Sequence, residues 1–159
     1  MKQLFTFLLI LFCIPLLCAQ EIETIIVPDA VMDRFTLLYP DARNIEWQII
    51  KDNYKADFKN DKVTTMALIA WDGSMLKTET EIKIGALPET AIDYMAQNYP
   101  AIKIDQASII EDKDGIITFE AVLDKVDLTF DCTGQVLATS EVVTGQEDNW
   151  IGFPHYSYF

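Results

Sequence analysis

His155 is the only histidine in this chain, and Cys132 is the only cysteine beyond residue 18. A hydrolytic triad would need the histidine beside a nucleophile and an orienting carboxylate. His155 stands near the C-terminus among aromatics, and no Gly-x-Ser-x-Gly elbow accompanies it. That is the setting of a packed or solvated imidazole. One cysteine makes neither an internal disulfide nor a thiolate zinc site. Cys132 stands where an earlier, similar stretch has Trp71, so it reads as a small buried hydrophobe. Glu111, Asp112 and Asp114 with Gly115 look like the start of a calcium loop. Such a loop needs twelve residues and a terminal glutamate, whereas here a strand begins at once at Ile116. A hairpin turn explains these residues better. Asp57 and Glu120 could be read as the carboxylate pair of a glycosidase. In a chain with 25 acidic side chains, two scattered carboxylates on similar strands carry almost no weight. We therefore expect no catalytic residue, no metal ligand and no cofactor.

The ends of the chain are informative about location. Lys2 precedes an almost unbroken apolar run from Leu4 to Leu17, and Leu17-Cys18-Ala19 precedes Gln20. A basic start, an apolar stretch and a small residue at the cleavage position make a secretory signal peptide of residues 1–19. A membrane anchor would need about 20 apolar residues, and this run is shorter. Cys18 opens a second reading, a lipoprotein, but the residue before a lipidated cysteine should be small and Leu17 is not. Export without a disulfide framework points to a bacterial envelope, periplasmic or secreted. Without its signal the chain keeps 11 basic and 25 acidic side chains, a balance of −14. Such a surface repels nucleic acid phosphates and anionic lipid headgroups, so neither is an expected partner. No later stretch is apolar enough for stable membrane insertion.

The elements that carry these residues are written twice. Val27-Pro28-Asp29 opens a stretch that reaches Leu38-Tyr39-Pro40, and Leu87-Pro88-Glu89 opens one that reaches Asn98-Tyr99-Pro100, 60 residues on. Trp71-Asp72-Gly73-Ser74-Met75-Leu76 recurs as Cys132-Thr133-Gly134-Gln135-Val136-Leu137 at a spacing of 61. Two copies are too few for a solenoid and suggest one domain, residues 20–143, built from repeats at about 27–83 and 87–143. Each copy reads as a helix followed by four strands. Pro28 and Pro88 suit a helix start, and Asp29 and Glu89 place negative charge at its positive end. Val31, Phe35, Leu38 and Tyr39 form one apolar face, matched by Ala91, Ile92, Met95 and Tyr99. Pro40 and Pro100 end both helices.

The strands alternate with period two. Ile45, Trp47 and Ile49 alternate with polar neighbours, as do Tyr54, Ala56 and Phe58. Asn60-Asp61, Asp72-Gly73, Asp114-Gly115, Asp124-Lys125 and Thr133-Gly134 supply turns. Strands are expected over 63–71, 75–82, 103–111, 116–123, about 126–131 and 135–143. The economical assembly is α+β: one eight-stranded antiparallel sheet with both helices on one face, leaving the other partly open to water. Outward positions include Glu46, Gln48, Lys55, Asp57, Thr118, Glu120 and Thr129, with Met66, Leu68 and Val122 on the same side.

This doubled order resembles the PepSY-like, β-lactamase-inhibitor-like exported proteins of Bacteroidetes-type bacteria. Its landmarks are Pro28, Tyr39-Pro40, Asp72-Gly73, Leu76, Pro88, Tyr99-Pro100, Gly134 and Leu137, across about residues 24–143. Thr133 in place of a second aspartate is the one departure. The resemblance implies a fold like that of the β-lactamase inhibitor protein and a sheet face that docks a partner. It carries over no catalytic residue, and a shared fold does not determine function.

The last sixteen residues, 144–159, have no counterpart in the first repeat. Five of the ten residues from Trp150 to Phe159 are aromatic. Aromatics dominate interface hot spots, yet an uncovered aromatic tail is an aggregation hazard. Folding back on the chain's own sheet is therefore the simpler of its two readings. The expectation is a non-enzymatic exported protein-binding module, with inhibition of an envelope hydrolase as its sharpest form. A small-ligand carrier with an apolar cavity between helix and sheet is the alternative. Expected partner contacts are Glu46, Gln48, Met66, Leu68, Glu120, Val122, Trp150, Phe153 and Tyr156; the expected partner is another envelope or secreted protein.

Overall fold

The computed structural model describes residues 25–141. The order is α1 (Asp29–Leu38), β1 (Arg43–Ile50), β2 (Asn53–Asn60), β3 (Val63–Ala70), β4 (Met75–Glu81), a 3-10 turn (Ile84–Ala86), α2 (Glu89–Asn98), β5 (Gln106–Asp112), β6 (Ile117–Leu123), β7 (Val126–Phe130) and β8 (Val136–Glu141). All eight strands lie in one sheet in chain order, every neighbouring pair antiparallel. Both helices pack on the same face of it.

The two helices do not share one core. Val31 and Phe35 of α1 pack with Ala56, Phe58, Ala67 and Ile69. Ala91 and Met95 of α2 pack separately with Ala107, Ala121, Leu123, Leu128 and Phe130. The reason lies in β4 and β5, where the repeats join. On the helix side β4 presents Thr78 and Thr80, paired with Glu111 and Ile109 of β5. This largely polar seam separates two apolar clusters that a continuous ladder nonetheless links. The Tyr39 and Thr78 hydroxyls lie 3.3 Å apart at its edge. Leu38, expected on the apolar face of α1, is 41% exposed; the packing uses the narrower stripe of Val31, Phe35 and Tyr39.

The paired glycines mark where helix meets hairpin. Gly73 has φ +87°, and a Cβ there would lie 2.7 Å from the Ala30 carbonyl oxygen in the first turn of α1. Gly134 has φ +85°, and a Cβ there would collide with the Thr90 hydroxyl and the Ala91 amide nitrogen of α2. Each helix start thus sits on the turn before its repeat's last strand, and only glycine permits both the conformation and the approach.

The departure at Thr133 is compensated. In the first repeat Asp72 Oδ1 accepts the Ser74 N–H. In the second, Asp131 Oδ1 accepts from the Thr133 N–H, the Thr133 hydroxyl and the Gln135 N–H. These hydrogen bonds hold both exposed carboxyls below the usual range, Asp72 chiefly through the Ser74 amide and Asp131 chiefly through the Thr133 side chain.

Two local expectations are corrected. β5 starts at Gln106 rather than at residue 103, because the chain leaves α2 by a turn in which Ile102 N–H donates to Tyr99 C=O. Cys132 is exposed, not buried. It lies in the β7–β8 turn at the place of Trp71, which is itself 70% exposed. The turn points both side chains to water.

Candidate functional site

The face opposite the helices can be followed residue by residue through the register. β1 contributes Glu46 and Gln48, paired with Asp57 and Lys55 of β2. Asp57 and Lys55 in turn face Met66 and Leu68 of β3. Met66 and Leu68 face Glu79 and Lys77 of β4, and these face Ile110 and Asp112 of β5. Ser108 of β5 faces Glu120 of β6, and Val122 faces Asp127 of β7. All six strand residues expected at a partner surface therefore lie on this one face. They do not form one patch. Glu46 and Gln48 lie on the edge strand, five strands from Glu120 and Val122, or roughly 24 Å at the usual inter-strand spacing. Trp150, Phe153, Tyr156 and His155 lie outside the described residues.

This face is less open than its alternation suggests. No described helix lies on it, yet Lys55, Met66, Glu79, Ser108 and Ile110 are at most 9% exposed. Met66 thus belongs to the floor of any partner site rather than its reachable surface. Burial makes the charge on this face consequential. Lys55 Nζ meets Asp57 Oδ2 at 2.8 Å. Glu79 Oε1 accepts from the Ser108 hydroxyl at 3.0 Å. Glu79 Oε2 lies 3.4 Å from Lys77 Nζ, close enough for an ion pair but without a hydrogen bond. Asp127 Oδ1 is likewise buried without one. Burial and then the Glu79 charge push the Glu120 carboxyl up to about 7, with Asp127 adding and Lys77 opposing. The same two causes raise the Asp127 carboxyl.

Sequence reasoning missed Glu79, Ser108, Ile110 and Asp127 as site residues. In β4 both faces are polar, since Lys77, Glu79 and Glu81 alternate with Thr78 and Thr80. Nothing in that pattern says which set faces the helices. In β5 both sets include isoleucine, Ile109 and Ile110.

The other candidates resolve into structure. Asp112 Oδ1 accepts the N–H groups of Asp114 and Ile116, as a hairpin turn requires. Asp57 and Glu120 are four strands apart. No three histidine, cysteine or carboxylate groups among the described residues converge to hold a metal ion. Between helix and sheet, where a carrier would open a cavity, Phe35, Ile69, Leu123, Leu128 and Phe130 fill the space. A depression of about 470 Å³ opens elsewhere, at the end of β4 and β5, with Lys62, Glu81, Lys83 and Asp105 among its walls. Its charged rim does not suit an apolar ligand.

The architecture has solved counterparts. A BLIP-like protein of Bacteroides fragilis is 25% identical, aligns over 80% of this chain and 95% of its own, and superposes with a TM-score of 0.66. The chain shares its fold. A protein of Bacteroides eggerthii described as periplasmic is 18% identical over 73% of this chain and 89% of its own, with a TM-score of 0.68. A DUF2874 family protein of Bacteroides ovatus is 21% identical over 75% and 90%, with a TM-score of 0.63. The sequence expectation of a β-lactamase-inhibitor-like architecture is met. No family model matches the chain. No curated protein matches it either. Among the described residues no helix is long and apolar enough to cross a membrane.

Proposed function

We propose that this chain is an exported, non-enzymatic protein-binding module that uses its open sheet face to engage another envelope or secreted protein. One observation carries the reading: an eight-stranded sheet with one face left free of described helices, on which Leu68 and Val122 are only half-buried among ordered charges. Apolar positions would supply most of the affinity, and the surrounding charge would steer encounter and select the partner. Inhibition of an envelope hydrolase is the sharpest form. It is supported by the fold shared with a BLIP-like protein. Location in the periplasm, or secretion, is supported by the apolar leader and by the periplasmic description of the Bacteroides eggerthii protein.

Capture from envelope extract with residues 20–159 as bait tests the reading. The wild-type bait should retain a partner that Leu68→Asp and Val122→Asp lose while each variant still melts cooperatively. Equal retention by both variants would remove the open face from the function. Mass spectrometry of the native protein tests export: Gln20 should be its first residue, and a diacylated Cys18 would show anchoring instead.

A further inference from the structure

In the depression at the end of β4 and β5, the acids of the walls are engaged and the lysines are not. The Glu81 carboxylate accepts the Thr64 hydroxyl, which in turn accepts from Lys59. Asp105 Oδ1 lies 3.7 Å from Lys103 Nζ, and its Oδ2 accepts the Asp124 N–H at 3.3 Å. Lys62 and Lys83 are exposed and have no ion pair or side-chain hydrogen bond among the described residues. The same walls carry apolar surface that nothing covers fully. Val63 is 40% exposed and Ile84 39% exposed, with Ile82 partly buried. Unpaired positive charge beside open apolar surface fits an occupant with carboxylates next to large apolar side chains.

This chain contains such a segment. Residues 142–159 carry two acidic side chains, Glu147 and Asp148, and no lysine or arginine; Trp150-Ile151 follows one residue later. The topology brings the start of that segment to the right end of the sheet. β8 ends at Glu141 opposite Val126. Val126 faces Leu123, and Val122 faces Gln106 at the start of β5, in the wall of the depression. The distances also fit. Lys83 follows β4, four strands from β8, or about 19 Å at the usual spacing. Asp148 stands seven residues past Glu141, a reach of up to about 24 Å. Val63 opens β3, five strands from β8, or about 24 Å. Trp150 stands nine residues past Glu141, a reach of up to about 30 Å. The acids therefore come within reach of Lys83 before Trp150 comes within reach of Val63.

We propose that the depression beside β4 and β5 is the seat of the chain's own residues Glu147–Ile151. Glu147 and Asp148 pair with Lys83 and Lys62, while Trp150 and Ile151 cover Val63, Ile82 and Ile84. Exposed ion pairs contribute little energy, so the covered apolar surface holds the segment and the charges fix its direction. Tethering from β8 favours this segment over an equivalent one on another molecule. The open face is the poorer seat, because Val122 stands there beside Glu120 and Asp127, which repel Glu147 and Asp148. The consequence is a strap. A segment that starts on the second repeat crosses the polar seam and latches onto β3 of the first. It leaves Leu68 and Val122 free for a partner, so its failure would leave the protein-docking reading standing.

The test uses residues 20–159 with labelled valine and isoleucine methyl groups. Nuclear Overhauser contacts are expected from the Trp150 indole to the methyls of Val63, Ile82 and Ile84. Trp150→Ala should lower the melting temperature by several degrees. The contacts should weaken severalfold when Lys62→Glu and Lys83→Glu are combined. They should recover when Glu147→Lys and Asp148→Lys are added. Both lysines are exposed, so the reversed protein should still melt cooperatively. Contacts that ignore the reversal would overturn the pairing of charges. Contacts from Trp150 to Leu68 or Val122 would overturn the seat and give the segment to the open face. Contacts found only between differently labelled molecules would give the depression to a second copy. Absence of all contacts, with Trp150→Ala melting as wild type does, would overturn the strap altogether.

Discussion

Glu120→Gln should remove a pH dependence from the stability of this protein. In the folded chain the Glu120 carboxyl is raised from 4.5 to about 7, chiefly by burial and next by Glu79. An acid with a raised pKa binds its proton more tightly when folded. Stability contributed this way is present below about 4.5 and is lost as pH rises through about 7. At about 1.4 kcal/mol per unit, the full displacement corresponds to about 3 kcal/mol. Solvent reaches part of this face, so an effect of about 1–3 kcal/mol is the reasonable expectation. Glutamine keeps the shape and hydrogen-bonding capacity without the charge. Thermal melts of wild type and variant should therefore nearly coincide at pH 4 and separate by pH 8, the variant melting several degrees higher. Asp127 also raises the Glu120 carboxyl, so the difference between the curves reports Glu120 together with its coupling to Asp127. Glu79→Gln should move the separation to lower pH, since it removes the second cause. Parallel curves from pH 4 to pH 8, or a variant that is less stable at pH 8, would refute the reasoning.

Other outcomes follow from the packing. Gly73→Ala combines a positive φ with a clash against the α1 backbone, and should cost about 2 kcal/mol or more in urea unfolding. Phe130→Ala empties a fully buried site under α2 and should cost about 3–5 kcal/mol, read from the denaturant midpoint. Cys132 is exposed in its turn, so Ellman's reagent should titrate one thiol in folded residues 20–159 within minutes; slow reaction would bury it. Residues 20–84 alone expose the β4 edge and keep only the smaller cluster of Phe35 and Phe58, and should show no cooperative melt.

Much of the fold is legible because the repeat checks itself. Pro28 and Pro88, or Gly73 and Gly134, make the same demand twice, and both copies meet it in the structure. The face assignment of Glu46, Gln48, Glu120 and Val122 follows from alternation, since in β1 and β6 one set is plainly the more apolar. Where alternation is uninformative the reading stops. Thr78, Glu79 and Thr80 give no apolar set to orient β4, and Cys132 reads as buried only because its type is usually so.

Local sequence therefore determined the elements, their order and, outside β4 and β5, which residues share a face. Turn chemistry and two-residue periodicity act over a few neighbours, and nothing distant overrules them here. Tertiary structure alone decided that the core divides in two and that Glu79, Ser108, Glu120 and Asp127 gather on the open face. These residues are separated by up to 48 positions in the chain and meet only through the strand ladders of β4 to β7. The raised Glu120 carboxyl is likewise a property of that assembly, because burial and the field of Glu79 exist only once the strands are side by side.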